Sequence, residues 1–441
     1  MPIVLTYPST IPYNDYVRVR LITDLTAGNY GSFTVSAINS PCFSSLTHGQ
    51  SEDYTIYVKP VTWTGATDTD WATAGNWNTG VVPTASQNVI IPSTPTNQPV
   101  IGASTGASVN DLTVSSGASL SVTSGGSLKV SGTSTGNITY NLAIADTNWH
   151  LVSSPVIGQQ YDDAWVTANS ITISGTGNRA IAPYNNSTAQ PWDYMQAGET
   201  ATFTNGVGYS ALRTTIGTYS FTGTFPKGNV SPPITQNTSN WNLLGNPYPS
   251  YLDVAEFITA NTTTTPSNLS GAFHALYVWN GTSYDALTTG YINPGKAFFA
   301  NSNVAAGTAA ITEAMQEHEI RAGRTTSNTN PSISLMISEG TTSKDTQINY
   351  LEGKTKGLDP GFDLGMFNGT SSNLRIYTHL IEDNDGIAFD TQALPNSDYE
   401  SMIVPVGVKA NAGTEITFSA ETLNLPTDIK VFLEDKNANI F

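Results

Sequence analysis

Apolar and polar residues alternate with a period of two in Tyr16 to Leu21, Tyr54 to Val58 and Ser332 to Ser338, with Leu374 to Tyr377 and Ser401 to Val406 as further strand-like runs. A period of two puts every second side chain on one face, so each stretch predicts a half-buried β-strand. A shorter rhythm lies between them. Leu112-Thr-Val114, Leu120-Ser-Val122 and Leu128-Lys-Val130 recur every eight residues, separated by Ser-Gly turns at Gly117 and Gly125. Each unit predicts one strand and one turn, as in the rungs of a small β-solenoid or a ladder of hairpins, and periodicity leaves both open. The residues between the Leu and Val positions are small Ser, Thr and Gly, which suits a stalk or spacer better than catalysis.

A longer echo follows. Asn148-Trp-His-Leu-Val-Ser-Ser-Pro155 returns as Asn240-Trp-Asn-Leu-Leu-Gly-Asn-Pro247, and the register then holds without a gap, so that Trp165 to Asn169 falls on Phe257 to Asn261. Beyond it, Pro191 to Tyr194 loosely matches Tyr277 to Asn280 and the Tyr284 that follows. The chain therefore carries a duplicated β module over 146–322, with copies at about 148–224 and 240–315. In each copy an aspartate, Asp162 or Asp253, is placed to cap a helical turn running through Trp165 or Phe257. The two copies are expected as similar β units packed on one another or side by side in one sandwich, with Trp149, Trp241, Tyr248 and Phe298 in the core.

Composition strengthens the all-β reading. Only 12% of the 441 residues are charged, while 38 are Gly and 24 Pro, a profile of short strands and many turns. The length suggests about three domains. The formal charge is −17, with 17 Lys and Arg against 34 acids, which argues against nucleic acid or an anionic membrane as partner. One cysteine, Cys42, permits no internal disulfide. No apolar run reaches the length of a transmembrane segment, and Met1 to Leu5 is too short for the apolar core of a signal peptide. The expectation is a portion of a longer polypeptide, because the pattern opens inside a domain and stops directly after the strand-like Ile429 to Leu433.

The paired phrases at Asn148 and Asn240, closed by Tyr291 to Ala300 and Ile311 to Met315, resemble a repeat of secreted surface proteins of Bacteroidetes, cargo of the type IX secretion system. Arg18 to Asp24 with Ser40 to Val58 resembles the closing half of a GEVED domain, with Gln50 and Ser51 where the signature has Glu and Val. Residues 62–92 resemble the opening of the next module of such proteins, and Gly357 to Lys436 their last module before a sorting domain. The resemblance implies an all-β chain of tandem modules. These are the end of a GEVED-like sandwich at 1–60, a Trp-rich, solenoid-like segment at 61–145, the duplicated module at 146–322 and a C-terminal sandwich at 332–441. It also implies an extracellular or cell-surface location, with further domains upstream and downstream.

Candidate chemistry is sparse. Glu52 and Asp53 read as an acidic turn before a strand. Asp383, Asp385 and Asp390 surround a turn glycine, Gly386, and offer several oxygens to calcium, yet lack the alternation and terminal Glu of an EF-hand loop. Trp71 and Trp77, set among Asp68, Asp70, Asn76 and Asn78, suit either stacking on a glycan or closing one end of a β domain. The nucleophile-elbow patterns at Gly102–Gly106 and Gly132–Gly136 precede no helical periodicity. Pro183 follows the dinucleotide-like Gly175–Ala180 where a helix should begin. His318-Glu319 lacks a second histidine at 322. The sequence reads as non-catalytic: an adhesin, spacer or presentation scaffold that meets extracellular glycan or surface components, with an accessory region of a secreted hydrolase or a carbohydrate-binding module as the alternatives.

Overall fold

The computed structural model describes residues 16–24, 49–57, 60–281, 283–318, 330–368 and 373–435. Cys42 and the linker at 321–329 lie outside them. The fold is all-β, built of many small sheets, and the chain forms two compact units between which it alternates. The first comprises Met1–Val100, Ala107–Leu120 and Val130–Gly136; the second comprises Ile101–Gly106, Ser121–Lys129 and Asn137–Phe441.

In the first unit, β1 (Tyr16–Asp24) and β2 (Gly49–Tyr57) pair antiparallel, with Leu21 opposite Glu52 and Arg20 opposite Asp53. Glu52 and Asp53 thus belong to a strand rather than to a turn, because the pairing extends past the apolar alternation. The chain continues through β3 (Val61–Thr62), β4 (Val89–Ile91), β5 (Val100–Ile101), β6 (Gly106–Val109), β7 (Leu112–Val114), β8 (Ser121–Thr123), β9 (Ser127–Val130) and β10 (Ser134–Thr135). Strands β10, β7, β4 and β3 form one sheet in that order, all parallel. Val89 pairs with Leu112, 23 positions on, and Leu112 with Ser134, 22 positions on.

This register settles solenoid against hairpins, since a hairpin pairs its strands antiparallel. It also corrects the eight-residue rung. Leu112, Val122 and Leu128 go to three different sheets, so the units are successive strands of one winding, and what stacks is a longer repeat.

The second unit begins with the sheet that orders β17 (Gly217–Thr224), β11 (Asn137–Ile144), β8 and β5. Between β11 and β17 lies the first copy: β12 (His150–Val152), β13 (Gln160–Tyr161), α1 (Asp163–Ala168), β14 (Ile181–Pro183), β15 (Ala201–Thr202) and β16 (Tyr209–Ala211). The second copy runs β18 (Pro233–Thr235), β19 (Trp241–Gly245), β20 (Tyr251–Asp253), α2 (Val254–Thr262), β21 (Leu276–Trp279), β22 (Tyr284–Leu287), β23 (Tyr291–Ile292), β24 (Ala297–Asn301), β25 (Ala306–Thr308) and β26 (Gln316–Glu317). The topologies correspond. β16 lies between β12 and β14 as β24 lies between β19 and β21, and β13 pairs β15 as β20 pairs β23. Asp162 accepts from the Trp165 N–H at 2.8 Å and Asp253 from the Glu256 N–H at 2.9 Å, the two caps expected.

The copies exchange equivalent bonds. Ser153 N–H donates to the Gly295 carbonyl and Gly245 N–H to the Gly206 carbonyl, both at 2.9 Å. Val152 bridges Lys296 as Leu244 bridges Val207. Ser153 corresponds to Gly245, and Gly206 to Gly295, so each copy gives what it receives, an isologous contact inside one chain. At the centre the equivalent residues touch: a Cβ built on Gly245 would lie 2.2 Å from the Ser153 Cβ.

The last sheet contains β27 (Ser332–Glu339), β28 (Thr342–Leu351), β29 (Leu364–Gly365), β30 (Arg375–Thr378), β31 (Phe389–Pro395), β32 (Val406–Lys409) and β33 (Thr417–Leu423), in the order β32-β30-β31-β28-β27-β33 with β29 beside β31. Direct bonds join it to the second copy: the Tyr277 hydroxyl donates to the Gly365 carbonyl at 2.6 Å, and Trp241 Nε1 to Asn368 Oδ1 at 2.8 Å. At the other end of the second copy, Leu128 N–H donates to the Pro249 carbonyl, Ser127 Oγ lies 2.7 Å from His318 Nδ1, and Lys129 donates to the Gln316 carbonyl.

Candidate functional site

Trp71 and Trp77 are core residues, 1% and 2% exposed, which corrects the glycan-stacking expectation for them. Trp77 stands edge-on between Trp63 and Trp71, with ring centroids 5.0 and 4.7 Å away, and its Nε1 donates to the Trp71 carbonyl. The surrounding polar groups are occupied by the loop itself. Asp68 accepts from Asn76 Nδ2 at 2.6 Å and from Asp70 N–H, bonds that lower its pKa, and the fully buried Asn76 takes the N–H groups of Thr67 and Asp68. No ring face is left for a sugar.

The calcium candidates do not converge. Asp383 and Asp385 are exposed on a bend, whereas Asp390 sits half-buried on β31, where burial first, opposed by Arg375, pushes its pKa up to about 7. Among the described residues no three His, Cys, Asp or Glu side chains are grouped to hold a metal ion.

A different surface emerges from the duplicated module. In the first copy, Tyr184 just after β14 bridges Trp192, with ring centroids 5.1 Å apart. In the second, Trp279 at the end of β21 pairs with Tyr284 opening β22, at 5.0 Å. These are equivalent cross-strand aromatic pairs, each with an asparagine after its first ring (Asn185, Asn280) and an aspartate after its second (Asp193, Asp285). Both lean on the buried Phe299, with Tyr184 at 4.9 Å, Tyr284 at 5.7 Å and Trp192 at 6.4 Å. Trp149 and Tyr194, 5.8 Å apart, extend the array, and Trp279 Nε1 donates to the Trp149 carbonyl.

Trp149 was expected in the core and is instead 38% exposed; Tyr184, Trp192, Tyr194, Trp279 and Tyr284 are partly exposed. Their polar atoms divide from those of the core rings. Trp165, Trp241, Tyr248 and Tyr277 each give their N–H or O–H to the protein. The hydroxyls of Tyr184, Tyr194 and Tyr284 and the indole N–H groups of Trp149 and Trp192 have no partner among the described residues, and the three hydroxyls and the Trp192 N–H are not buried. Burial of the ring, then the neighbouring Tyr184, raises the Tyr284 pKa, and burial raises that of Tyr194, so these two phenols stand neutral near pH 7, able to donate and accept.

Behind Trp149, the buried His150 has its Nε2 3.2 Å from Asp146 Oδ1. Burial, helped by Lys296, lowers its pKa against the pull of Asp146. The segments carrying the rings, 145–149, 181–196 and 276–287, contain Asp146, Asp193 and Asp285 and no Lys or Arg. Asp285 holds Asn280 Nδ2 at 2.9 Å, fixing one rim of the surface. The best hollows in the described residues are elsewhere, shallow depressions of about 410 and 370 Å³ beside α1 and α2. The aromatic surface is therefore an open platform rather than a pocket.

Among the described residues no helix is long and apolar enough to cross a membrane. No curated protein and no solved structure matches the chain. Residues 62–146, which span the tryptophan loop and the parallel winding, match a family described as a domain of unknown function, DUF8693.

Proposed function

We propose that the chain is a non-catalytic module array of a secreted, cell-surface polypeptide, acting as adhesin, spacer or presentation scaffold. The observation that carries this reading is the way successive modules of the second unit are joined. Where a carrier of independent enzyme domains has flexible linkers, this chain has direct bonds at Ser127, Leu128 and Lys129 on one side of the second copy and at Trp241 and Tyr277 on the other. Such joints hold one module in a fixed attitude to the next, which is what a display scaffold needs. The acidic surface, −17 overall, fits a soluble extracellular polymer.

The test is protease shaving of intact source cells followed by immunodetection, with deletion of the coding region and an adhesion assay in parallel. The expected result is that the chain is removed from the outside and that deletion weakens attachment. Recovery of the chain from the cytosol alone would overturn the reading. Loss of a hydrolytic activity on deletion, with attachment unchanged, would favour an accessory region of a secreted hydrolase.

A further inference from the structure

We infer that the platform formed by Trp149, Tyr184, Trp192, Tyr194, Trp279 and Tyr284 is a binding site for a neutral polysaccharide chain, with two equivalent stacking subsites, one from each copy of the duplicated module. The inference goes beyond the scaffold role and stands on different residues from those that join the modules.

Four observations point to this ligand. Tyr184, Trp192, Trp279 and Tyr284 pack against a core that includes Phe299 and Phe367, with Tyr284 4.1 Å from Phe367, yet each is only partly buried, so part of each ring stays open to solvent. Aromatic faces carry negative charge density, and the axial C–H bonds of a pyranose carry the complementary partial positive charge. Five ring-borne donor or acceptor atoms lack a partner among the described residues, and a polyol offers hydroxyls to all of them. The pairs Tyr184–Trp192 and Trp279–Tyr284 are related by the reciprocal exchange that relates the two copies, so the same stacking unit occurs twice around Phe299, as a ligand of repeating units would use it.

Charge selects among ligands that stack. Nucleobases use similar platforms but bring phosphates, and uronate-rich glycans bring carboxylates. The ring-bearing segments offer three aspartates and no cation, so both classes are repelled while a neutral hexose polymer is not. The openness of the surface also fits the side of a chain rather than a small molecule, which takes a concave pocket.

The experiment is affinity gel electrophoresis of the full chain in gels containing hydroxyethyl cellulose, laminarin or galactomannan, with polygalacturonate and a proline-rich peptide as controls. At least one neutral polysaccharide is expected to retard the protein. Trp192→Ala and Trp279→Ala should each weaken binding by about tenfold, and together abolish it, as hot-spot aromatics do. Trp192→Phe and Trp279→Phe, which keep a ring face, should retain most of it. Folding is checked by circular dichroism, and if Trp279→Ala unfolds, Trp192→Ala and Trp149→Ala at the more exposed end decide. Retardation by none of the three neutral polymers overturns the inference, as does binding that survives the substitutions, or preference for polygalacturonate or the peptide. None of those results touches the cell-shaving test of the scaffold role.

Discussion

Trp149 and Trp241 hold the same place in the two copies of one module, yet the first is 38% exposed and the second 4%. The strands that follow them pair alike, Leu151 with Ser210 and Leu243 with Phe299. What differs is the neighbour. Within its own copy Trp241 packs on Tyr277 and Phe273, at 4.8 and 5.2 Å, and the last module adds Phe367 at 4.6 Å and Asn368 at its indole N–H, whereas Trp149 meets Tyr194 alone among the described aromatic rings and its N–H has no described partner. A duplication thus fixes where a side chain sits in its module, while its neighbours, in the copy and in the next module, decide whether it becomes core or surface.

The largest effect expected from this comparison is on stability. Trp241→Ala should cost about 3–5 kcal/mol, because it empties a packed aromatic site and strands Asn368. Trp149→Ala should cost about 0.5 kcal/mol, the usual range for a surface position. Guanidinium unfolding of the two variants measures both. Equal losses would mean that the shared position, not the cover, sets the energetics.

The same contrast shows what was legible in the sequence. The strands, the repeat and the aspartate caps could be read because each rests on contacts within a few residues: Asp162 reaches Trp165, and Asp253 reaches Glu256. The fate of Trp149 could not, since part of the cover over its counterpart comes from Phe367, more than a hundred residues away. The eight-residue period misled for a related reason. A local rhythm marks strands and turns, but which strand stacks on which follows the 22- and 23-residue winding that separates Val89, Leu112 and Ser134. The aromatic surface left a trace in the sequence, but in another register. Pro191 to Tyr194 does echo the second copy, but Trp192 corresponds to Tyr284 and Tyr184 to Trp279, a match hidden by the unequal loops between them.

A second way to break the comparison is at its centre. Gly245→Ala places a Cβ 2.2 Å from that of Ser153, and the carbonyl of Val207 is 2.9 Å away, so the backbones must separate. The expected cost is about 1–3 kcal/mol. Because Ser153 and Gly245 are equivalent, the exchange variant Ser153→Gly with Gly245→Ser should recover part of that loss in thermal melts. An exchange variant less stable than Gly245→Ala would show that the two copies are not interchangeable at this contact.

A smaller effect acts on the cover itself. Burial raises the pKa of Asp390 to about 7 and that of Asp363 to about 6, so the folded chain prefers both protonated. The resulting stability is full below the ordinary carboxylate range and is lost as pH rises through about 7. Arg375 and Lys344 oppose the shift at Asp390, and Asp345 adds to it. Its charge also reaches the buried Tyr277 beneath the second copy, whose pKa is raised first by burial and then by Asp390. The melting temperature should therefore fall by about 2–4 °C from pH 5 to pH 8. Asp390→Asn should flatten the profile, leaving the part due to Asp363, and an unchanged slope would remove Asp390 from the account.

The smallest effect tests whether the copies are energetically as well as geometrically alike. α1 and α2 differ in length, six residues against nine, but begin with the same cap and end with the same bond pattern. Asn169 Nδ2 donates to the Trp165 carbonyl while its Oδ1 accepts from Ser220, and Asn261 Nδ2 donates to the Phe257 carbonyl while its Oδ1 accepts from Ala310. Asp162→Ala and Asp253→Ala should thus each cost about 1 kcal/mol, since each leaves one helix N–H without its acceptor. The first helix has an additional tie, Asp163 to Arg179 at 2.7 Å, which holds its opening turn after the cap is gone. If that tie matters, Asp162→Ala will cost less than Asp253→Ala, and adding Asp163→Ala will restore the difference. If the two caps cost the same with Asp163 in place, the duplication extends to the forces as well as the folds, and the contrast between Trp149 and Trp241 lies in the rings that pack on them.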